Sequence, residues 1–158
     1  MSLKTKLKQR KCEQIDLVFC LDRPLLGELA VVRAEDAADA EGRMSGGKSA
    51  KARELEKAVA DASVTIRMFS LPWDEYNALM LEHPGRDGMD EQFDPSTFFA
   101  AAARATAVEV TATGTVPIPD DDWDEFVDGM TDGEYDRLAN AVVMLNRNVG
   151  TVNTAPFV

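Results

Sequence analysis

Hydrophobic and polar residues alternate near the start of the chain, which predicts a strand buried on one face. Successive side chains of a strand point to opposite faces, so apolar residues two positions apart share a face. The residues in this alternation are Ile15, Leu17, Phe19 and Leu21. Residues 64–71 are rich in β-branched and apolar side chains and predict a second strand.

Between these strands, apolar residues recur three and four positions apart on both sides of a glycine-rich stretch. This spacing is typical of helices with one buried face, and Pro24 suits the first turn of a helix. We therefore predict an antiparallel helical hairpin over residues 24–63, with its turn near Gly46 and Gly47. The residues expected to pack across the hairpin are Leu25, Leu29, Val32, Leu55 and Val59.

The chain after residue 71 has the pattern of short helices separated by turns. Pro72 opens the first, with Trp73, Tyr76 and Met80 as its apolar stripe. A second helix begins with Asp94 as N-cap and Pro95 in its first turn, and segment 108–119 is extended and broken by prolines, as in a short edge hairpin. Two helices joined through a capping box at 131–134 follow. Their apolar stripes are Trp123, Phe126, Val127 and Met130, then Tyr135, Leu138, Val142 and Leu145.

These elements predict an α+β fold that is mainly α. A strand–helical hairpin–strand unit is followed by a helical C-terminal half. The boundaries that we predict are a basic flexible arm at 1–11, the strand–helix–helix–strand unit at 12–71, a helical part packed on it at 72–147 and an extended tail at 148–158.

Charge is divided unevenly between the arm (residues 1–11) and the rest of the chain. The arm holds five basic residues and no acid, whereas the other 147 residues hold 12 basic and 28 acidic side chains, a net charge of −16. Such a body repels the phosphates of nucleic acids. No apolar run approaches the roughly 20 residues that cross a bilayer, so we expect a cytoplasmic protein without nucleic-acid or membrane partners.

One stretch matches a nucleotide-binding motif letter for letter. Residues 42–49 satisfy G-x-x-x-x-G-K-[ST], the loop that cradles phosphates. That chemistry requires a buried strand entering the loop, but the preceding residues 34–41 have an acidic helical pattern. No apolar run ending in a magnesium-binding aspartate follows. We interpret the match as a hairpin turn and predict no nucleotide site.

Other catalytic or metal sites find no support in the residue pattern. A calcium loop counted from Asp120 would place Glu125 at its sixth position, where glycine is required, and Thr131 at its twelfth, where an acid is required. His83 is the single histidine, and it stands in a His-Pro-Gly turn without a neighbouring nucleophile. We therefore expect a non-enzymatic protein with no catalytic residues, no metal and no cofactor.

The order of the motifs resembles the tail assembly chaperones of long-tailed phages, particularly those of actinobacterial hosts. That family has a strand leading into a Leu-Pro…Trp…Leu…His-Pro helix, then Phe-Asn/Asp-Pro…Phe and a terminal pair of helices containing tryptophan. The resemblance covers about residues 12–150. The segments that carry it are 64–79, His83-Pro84, 93–99 and 122–126.

The resemblance implies a chaperone that binds the tape measure protein and keeps it soluble during tail assembly. It implies a location in the host cytoplasm and absence from the mature virion. The tail tube protein and a frameshifted longer form of the chain are further candidate partners. We hypothesise that residues 120–147 contribute a groove between the last two helices, with Trp123 and Phe126 as anchors, although both residues also fit simple core positions. The partner-binding candidates are Trp123, Phe126, Phe99 and Tyr135.

A second class of function also fits the acidic composition. A body with a net charge of −16 could imitate DNA and inhibit a host nuclease or repressor. Mimicry needs carboxylates spaced like phosphates on an exposed face, whereas a chaperone needs an exposed apolar groove. The strong helical stripes favour the chaperone.

Overall fold

The computed structural model describes residues 1–42 and 47–147 and has an α+β fold that is mainly α, which confirms the predicted class. The helices are α1 Leu3–Lys8, α2 Arg23–Ala40, α3 Ala50–Asp61, α4 Trp73–Glu82, α5 Pro95–Arg104, α6 Asp120–Asp128 and α7 Asp132–Arg147. The strands are β1 Gln14–Cys20, β2 Ser63–Phe69, β3 Val108–Thr111 and β4 Gly114–Pro117. The predicted tail at 148–158 and part of the predicted hairpin turn lie outside the described residues.

The four strands form one antiparallel sheet in the order β1–β2–β3–β4. Two backbone hydrogen bonds show the direction of the first pair: Leu21 N–H donates to the Ala62 carbonyl at 2.9 Å, and Ser70 N–H donates to the Glu13 carbonyl at 3.2 Å. In β1 the half-buried or buried residues Ile15, Leu17 and Phe19 alternate with more exposed ones. The alternation therefore predicted this strand correctly. The exception is Leu21, which follows the last residue of β1 and is 67% exposed.

Strands β3 and β4 form the predicted short hairpin at the edge of the sheet. Val108 lies opposite Pro117 and Thr111 lies opposite Gly114. The φ angle of Gly114 is +137°, a conformation that side-chain-bearing residues rarely adopt. Pro117 lacks a backbone N–H, so it blunts this edge of the sheet.

The chain divides into two compact units whose borders cross β1 and β2. One unit is Val18–Thr65, and the other is Met1–Leu17 together with the chain from Ile66 onward. The predicted border at 12–71 enclosed both strands in one unit. Periodicity identifies a strand as a whole, but it does not show where along that strand its packing partners change.

The Val18–Thr65 unit contains the predicted helical hairpin. Leu29 and Val32 of α2 and Ala52 and Leu55 of α3 are at most 9% exposed and form its core, with Leu25 and Val59 packed against them. The spacing of apolar residues therefore predicted this core correctly. The chain enters the glycine-rich stretch from α2, which ends at Ala40, so a helix rather than a strand precedes the phosphate-loop match.

The other unit is organised around Phe98, which is fully buried in α5. Its ring centroid lies 5.3 Å from that of Tyr76, 4.3 Å from that of Phe93 and 5.4 Å from that of Phe99. The hydroxyl of Tyr135 on α7 donates to the Pro95 carbonyl at 2.9 Å. These contacts hold α5 against α4 and α7.

One prediction about this unit needs correction. Trp73 was expected in the buried stripe of α4, yet it is 78% exposed while Tyr76 is 7% exposed. Helical side chains point toward the N-terminus of the helix, so a side chain at the first position projects past the helix end. The segment predicted as a basic flexible arm contains α1, which is capped by the Ser2 hydroxyl accepting from Thr5 N–H at 3.4 Å.

Candidate binding groove

A groove of about 430 Å³ lies between α5 and α6, and we call it the α5–α6 groove. Its apolar lining comes from Ala100 and Ala101 of α5 and from Trp123 and Val127 of α6. A cavity of this size lies in the range that ligands occupy, roughly 300–1,000 Å³. The groove is therefore large enough to admit side chains of a binding partner.

The space exists because the groove face of α5 is built from small side chains. Phe98, Ala102 and Ala103 are buried on the other faces of this helix, which leaves Ala100 and Ala101 toward α6. An alanine side chain ends at Cβ, so the two helices approach without filling the volume between them. On α6 the wall is Trp123, which is only 2% exposed.

One side of the groove carries a row of acids. Asp124 and Asp128 of α6 line it, and Asp120 stands one turn earlier on the same side of the helix, since residues four apart are neighbours. The Asp120 and Asp124 side chains are 86% and 75% exposed. These carboxylates give the rim a negative potential directed at solvent.

A single cation among the lining residues faces this acidic row. Arg104, at the end of α5, forms an ion pair with the Asp120 carboxylate. Its Nη1 also lies 3.4 Å from the Asp120 backbone oxygen and 3.9 Å from Asp124 Oδ1. Because exposed ion pairs contribute little to stability, Arg104 neutralises part of the rim without locking the two helices together.

The first turn of α5 is fixed at the opposite end of the groove. The Asp94 carboxylate accepts hydrogen bonds from Ser96 N–H at 2.9 Å and from the Ser96 hydroxyl at 2.6 Å. These bonds lower the pKa of Asp94 below its usual value of 3.8. The single hydroxyl proton of Tyr135 is shared between the Pro95 carbonyl, at 2.9 Å, and the Ser96 carbonyl, at 3.0 Å. Burial raises the pKa of Tyr135. Neutral Tyr135 and ionised Asp94 therefore both hold Ser96, which lines the groove.

The structure brings two of the four predicted partner-binding residues to this region. Trp123 forms the groove wall, and the half-buried ring of Phe126 has its centroid 5.8 Å from that of Trp123. Phe99 instead packs against Phe93, with the two ring centroids 5.5 Å apart. Tyr135 holds the start of α5 through its hydroxyl, which donates to the Pro95 carbonyl. The groove lies between α5 and α6, whereas the sequence hypothesis placed it between the last two helices.

Sequence reasoning missed the α5 side of the groove. Ala100, Ala101 and Arg104 were not considered as site residues. The signal that could have identified them is the run of four alanines at 100–103, followed by a basic residue. An alanine run on a helix beside bulky neighbours indicates close helix approach or an open groove, and only coordinates distinguish these outcomes.

Within 1–42 and 47–147, no three His, Cys, Asp or Glu side chains are arranged to hold a metal ion. None of the helices in those ranges combines the length and apolar character needed to cross a bilayer. Comparison with protein-family models, with curated proteins and with solved structures gave no match for this chain.

Proposed function

We propose that this protein is a tail assembly chaperone that binds the tape measure protein and keeps it soluble during phage tail assembly. In this proposal it is non-enzymatic, acts in the host cytoplasm and is absent from the mature virion. The observation that carries the proposal is the α5–α6 groove, which combines an apolar lining with an acidic rim. The proposed family and the proposed client, the tape measure protein, come from the resemblance carried by the motif order at 64–99 and 122–126.

An amphipathic helix is the ligand that suits such a groove. Helix-in-groove recognition places apolar residues of one helical face into a hydrophobic channel. Ala100 and Ala101 allow the client backbone to come close, while the half-buried Val127 offers apolar contact area beside the buried Trp123. A long helical client with exposed apolar stripes would aggregate when left alone, and the groove would cover part of such a stripe.

The acidic rim selects among amphipathic helices. Asp124 and Asp128 would attract client segments whose apolar stripe is flanked by lysine or arginine. Charge complementarity of this kind mainly accelerates association and disfavours wrong partners. It also weakens as salt is added, because exposed charges are screened over about 10 Å at 0.1 M.

The arrangement of acids gives less support to DNA mimicry. Asp120, Asp124 and Asp128 together span only about 12 Å of α6, which is a short row compared with the phosphates along a DNA-binding site. The row on the groove side also ends with α6 at Asp128. An apolar channel next to the acids has no counterpart in a phosphate backbone.

The test is co-expression with the tape measure protein of the same genome. Val127→Asp places a charge in the apolar wall, and Val116→Asp is the matched control because Val116 is 39% exposed on β4, outside the groove lining. We expect Val127→Asp to lose co-purification and client solubility while circular dichroism shows that it stays folded, because Val127 is only half-buried. Val116→Asp should keep both. Full client rescue by the Val127→Asp protein would refute the groove as the client site.

A further inference from the structure

Helix α1 has the same chemistry that we assign to a client of the α5–α6 groove. Leu3 and Leu7 are four residues apart and therefore share a face of the helix. They are 73% and 54% exposed, and α1 has no buried residue. Lys4, Lys6 and Lys8 flank this leucine pair. The arm thus presents a short amphipathic helix with a basic border and an exposed apolar stripe.

The dimensions of α1 fit those of the groove. Six residues of α-helix span about 9 Å, whereas the ten residues of α5 span about 15 Å. The length of α1 therefore falls within the groove wall. Two leucine side chains are apolar groups of moderate size, suited to a volume of about 430 Å³ lined by Ala100, Ala101, Trp123 and Val127.

Charge favours this pairing over a general contact between two acidic bodies. The arm holds five basic residues and no acid, while Asp124 and Asp128 line the groove and Asp120 extends the row. Two bodies of net charge −16 repel each other, but an arm of one copy is attracted to the acidic rim of another. A contact between the arm and the groove joins opposite charges and is therefore favourable.

We infer that the α5–α6 groove binds helix α1 of a second copy of this chain. Residues 1–14 are all exposed in the structure, so α1 does not dock on its own chain there. Each copy offers one α1 and one groove, which allows a reciprocal dimer. The inference rests on the groove of the proposed function. It adds that a client helix must displace α1, so self-association covers the groove until a client arrives.

The first experiment measures the oligomeric state of the full chain over a wide range of protein concentration. We expect a monomer–dimer equilibrium by sedimentation that weakens as ionic strength rises. The double variant Leu3→Asp/Leu7→Asp should dimerise at least about tenfold more weakly than the parent. Leu26→Asp/Leu81→Asp is the matched control, since these leucines are 43% and 83% exposed elsewhere, and it should dimerise as the parent does.

A second experiment identifies the pairing by charge reversal. Lys4→Glu/Lys8→Glu and Asp124→Lys/Asp128→Lys should each be monomeric, because each places like charges at the contact. Mixed together, they should form heterodimers, since every α1 then meets a groove of opposite charge. Circular dichroism of each variant checks that it is folded. A parent chain that stays monomeric at every concentration, unaltered dimers in Leu3→Asp/Leu7→Asp, or a mixture without heterodimers would each overturn the inference.

The client assay separates this inference from the proposed function. Leu3→Asp/Leu7→Asp should still rescue the tape measure protein, because its groove is intact. If no dimer forms but Val127→Asp still abolishes client rescue, the inference fails and the proposed function stands. If α1-dependent dimers form but the parent chain does not rescue the client, the proposed function fails and the inference stands.

Discussion

The hairpin unit and the α5–α6 groove each contain an open pocket with charged residues, but the two pockets balance charge differently. The hairpin pocket, about 510 Å³, is lined by Arg33, Lys48 and Glu56 beside apolar residues. Arg33 Nη2 and Lys48 Nζ each lie 2.9 Å from Glu56 Oε1. Both cations are therefore already committed to the same carboxylate.

The groove has the opposite balance. Arg104 faces Asp120 and Asp124, and Asp128 adds a further acid to the lining. A basic ligand gains the exposed Asp124 and Asp128 carboxylates as partners there, whereas a charged ligand entering the hairpin pocket must first disrupt an existing ion-pair network. Pocket volume alone would favour the hairpin, so the charge balance is the better indicator of a binding site in this protein.

Removing the groove wall should produce the largest effect. Trp123→Ala truncates a side chain that is 2% exposed, and we expect it to lower the free energy of unfolding by about 3–5 kcal/mol. Trp73→Ala is the matched control, because Trp73 is 78% exposed and its loss should cost under about 0.5 kcal/mol. Urea unfolding measures both. Equal losses in the two variants would show that Trp123 does not anchor the groove.

A smaller effect on peptide binding should follow from removing acidic residues of the groove, and no effect should follow from removing the acidic residue of the hairpin pocket. Asp124→Asn/Asp128→Asn should weaken binding of a basic amphipathic peptide by up to about tenfold and reduce its salt dependence, because the rim loses its charge. Glu56→Gln removes a carboxylate from the hairpin pocket and should leave peptide binding unchanged. Fluorescence anisotropy at low and high salt measures both variants. Equal weakening would mean that total charge, rather than the groove rim, determines binding.

The two regions also differ in how far the sequence predicted them. The hairpin core followed from spacing alone, because Leu29, Val32 and Leu55 are large apolar residues at helical intervals, a spacing that favours burial of one face. Helix starts were equally predictable, as at Thr131, where the Glu134 carboxylate accepts from Thr131 N–H at 2.8 Å. These features depend on residues that are near one another in the sequence.

The groove could be predicted only in part. Trp123 and Phe126 were selected for their helical stripe, but the same stripe fits core packing and does not identify which helix lies opposite. That neighbour is α5, whose contribution comes from the small Ala100 and Ala101. A groove between helices forms where the facing side chains are small. The periodicity of large apolar residues does not show where such small residues lie opposite another helix. The prediction that Trp73 is buried was wrong although its spacing fits the apolar stripe. Trp73 is the first residue of α4, so its side chain projects past the end of the helix.

The smallest effect that we expect concerns the two helix caps of these regions. Helix α3 of the hairpin is capped by the neutral Ser49 hydroxyl, which accepts from Ala52 N–H at 3.2 Å, whereas α5 is capped by the Asp94 carboxylate. Hydrogen bonds from Ser96 hold the folded-state pKa of Asp94 below 3.8. A lowered folded-state pKa means that ionised Asp94 stabilises the fold above the unfolded-state pKa, and this contribution is lost as pH falls through the folded-state value.

Asp94→Asn tests this difference, because asparagine caps helices about as well as aspartate but does not titrate. We expect the melting temperature of the parent to fall more steeply than that of Asp94→Asn as pH drops from about 5 to below 3.8, the usual pKa of aspartate. At neutral pH the two proteins should be close in stability. Asp87→Asn, in the exposed loop before α5, is the matched control. Parallel acid profiles for the parent and Asp94→Asn would mean that Ser96 does not stabilise the ionised cap.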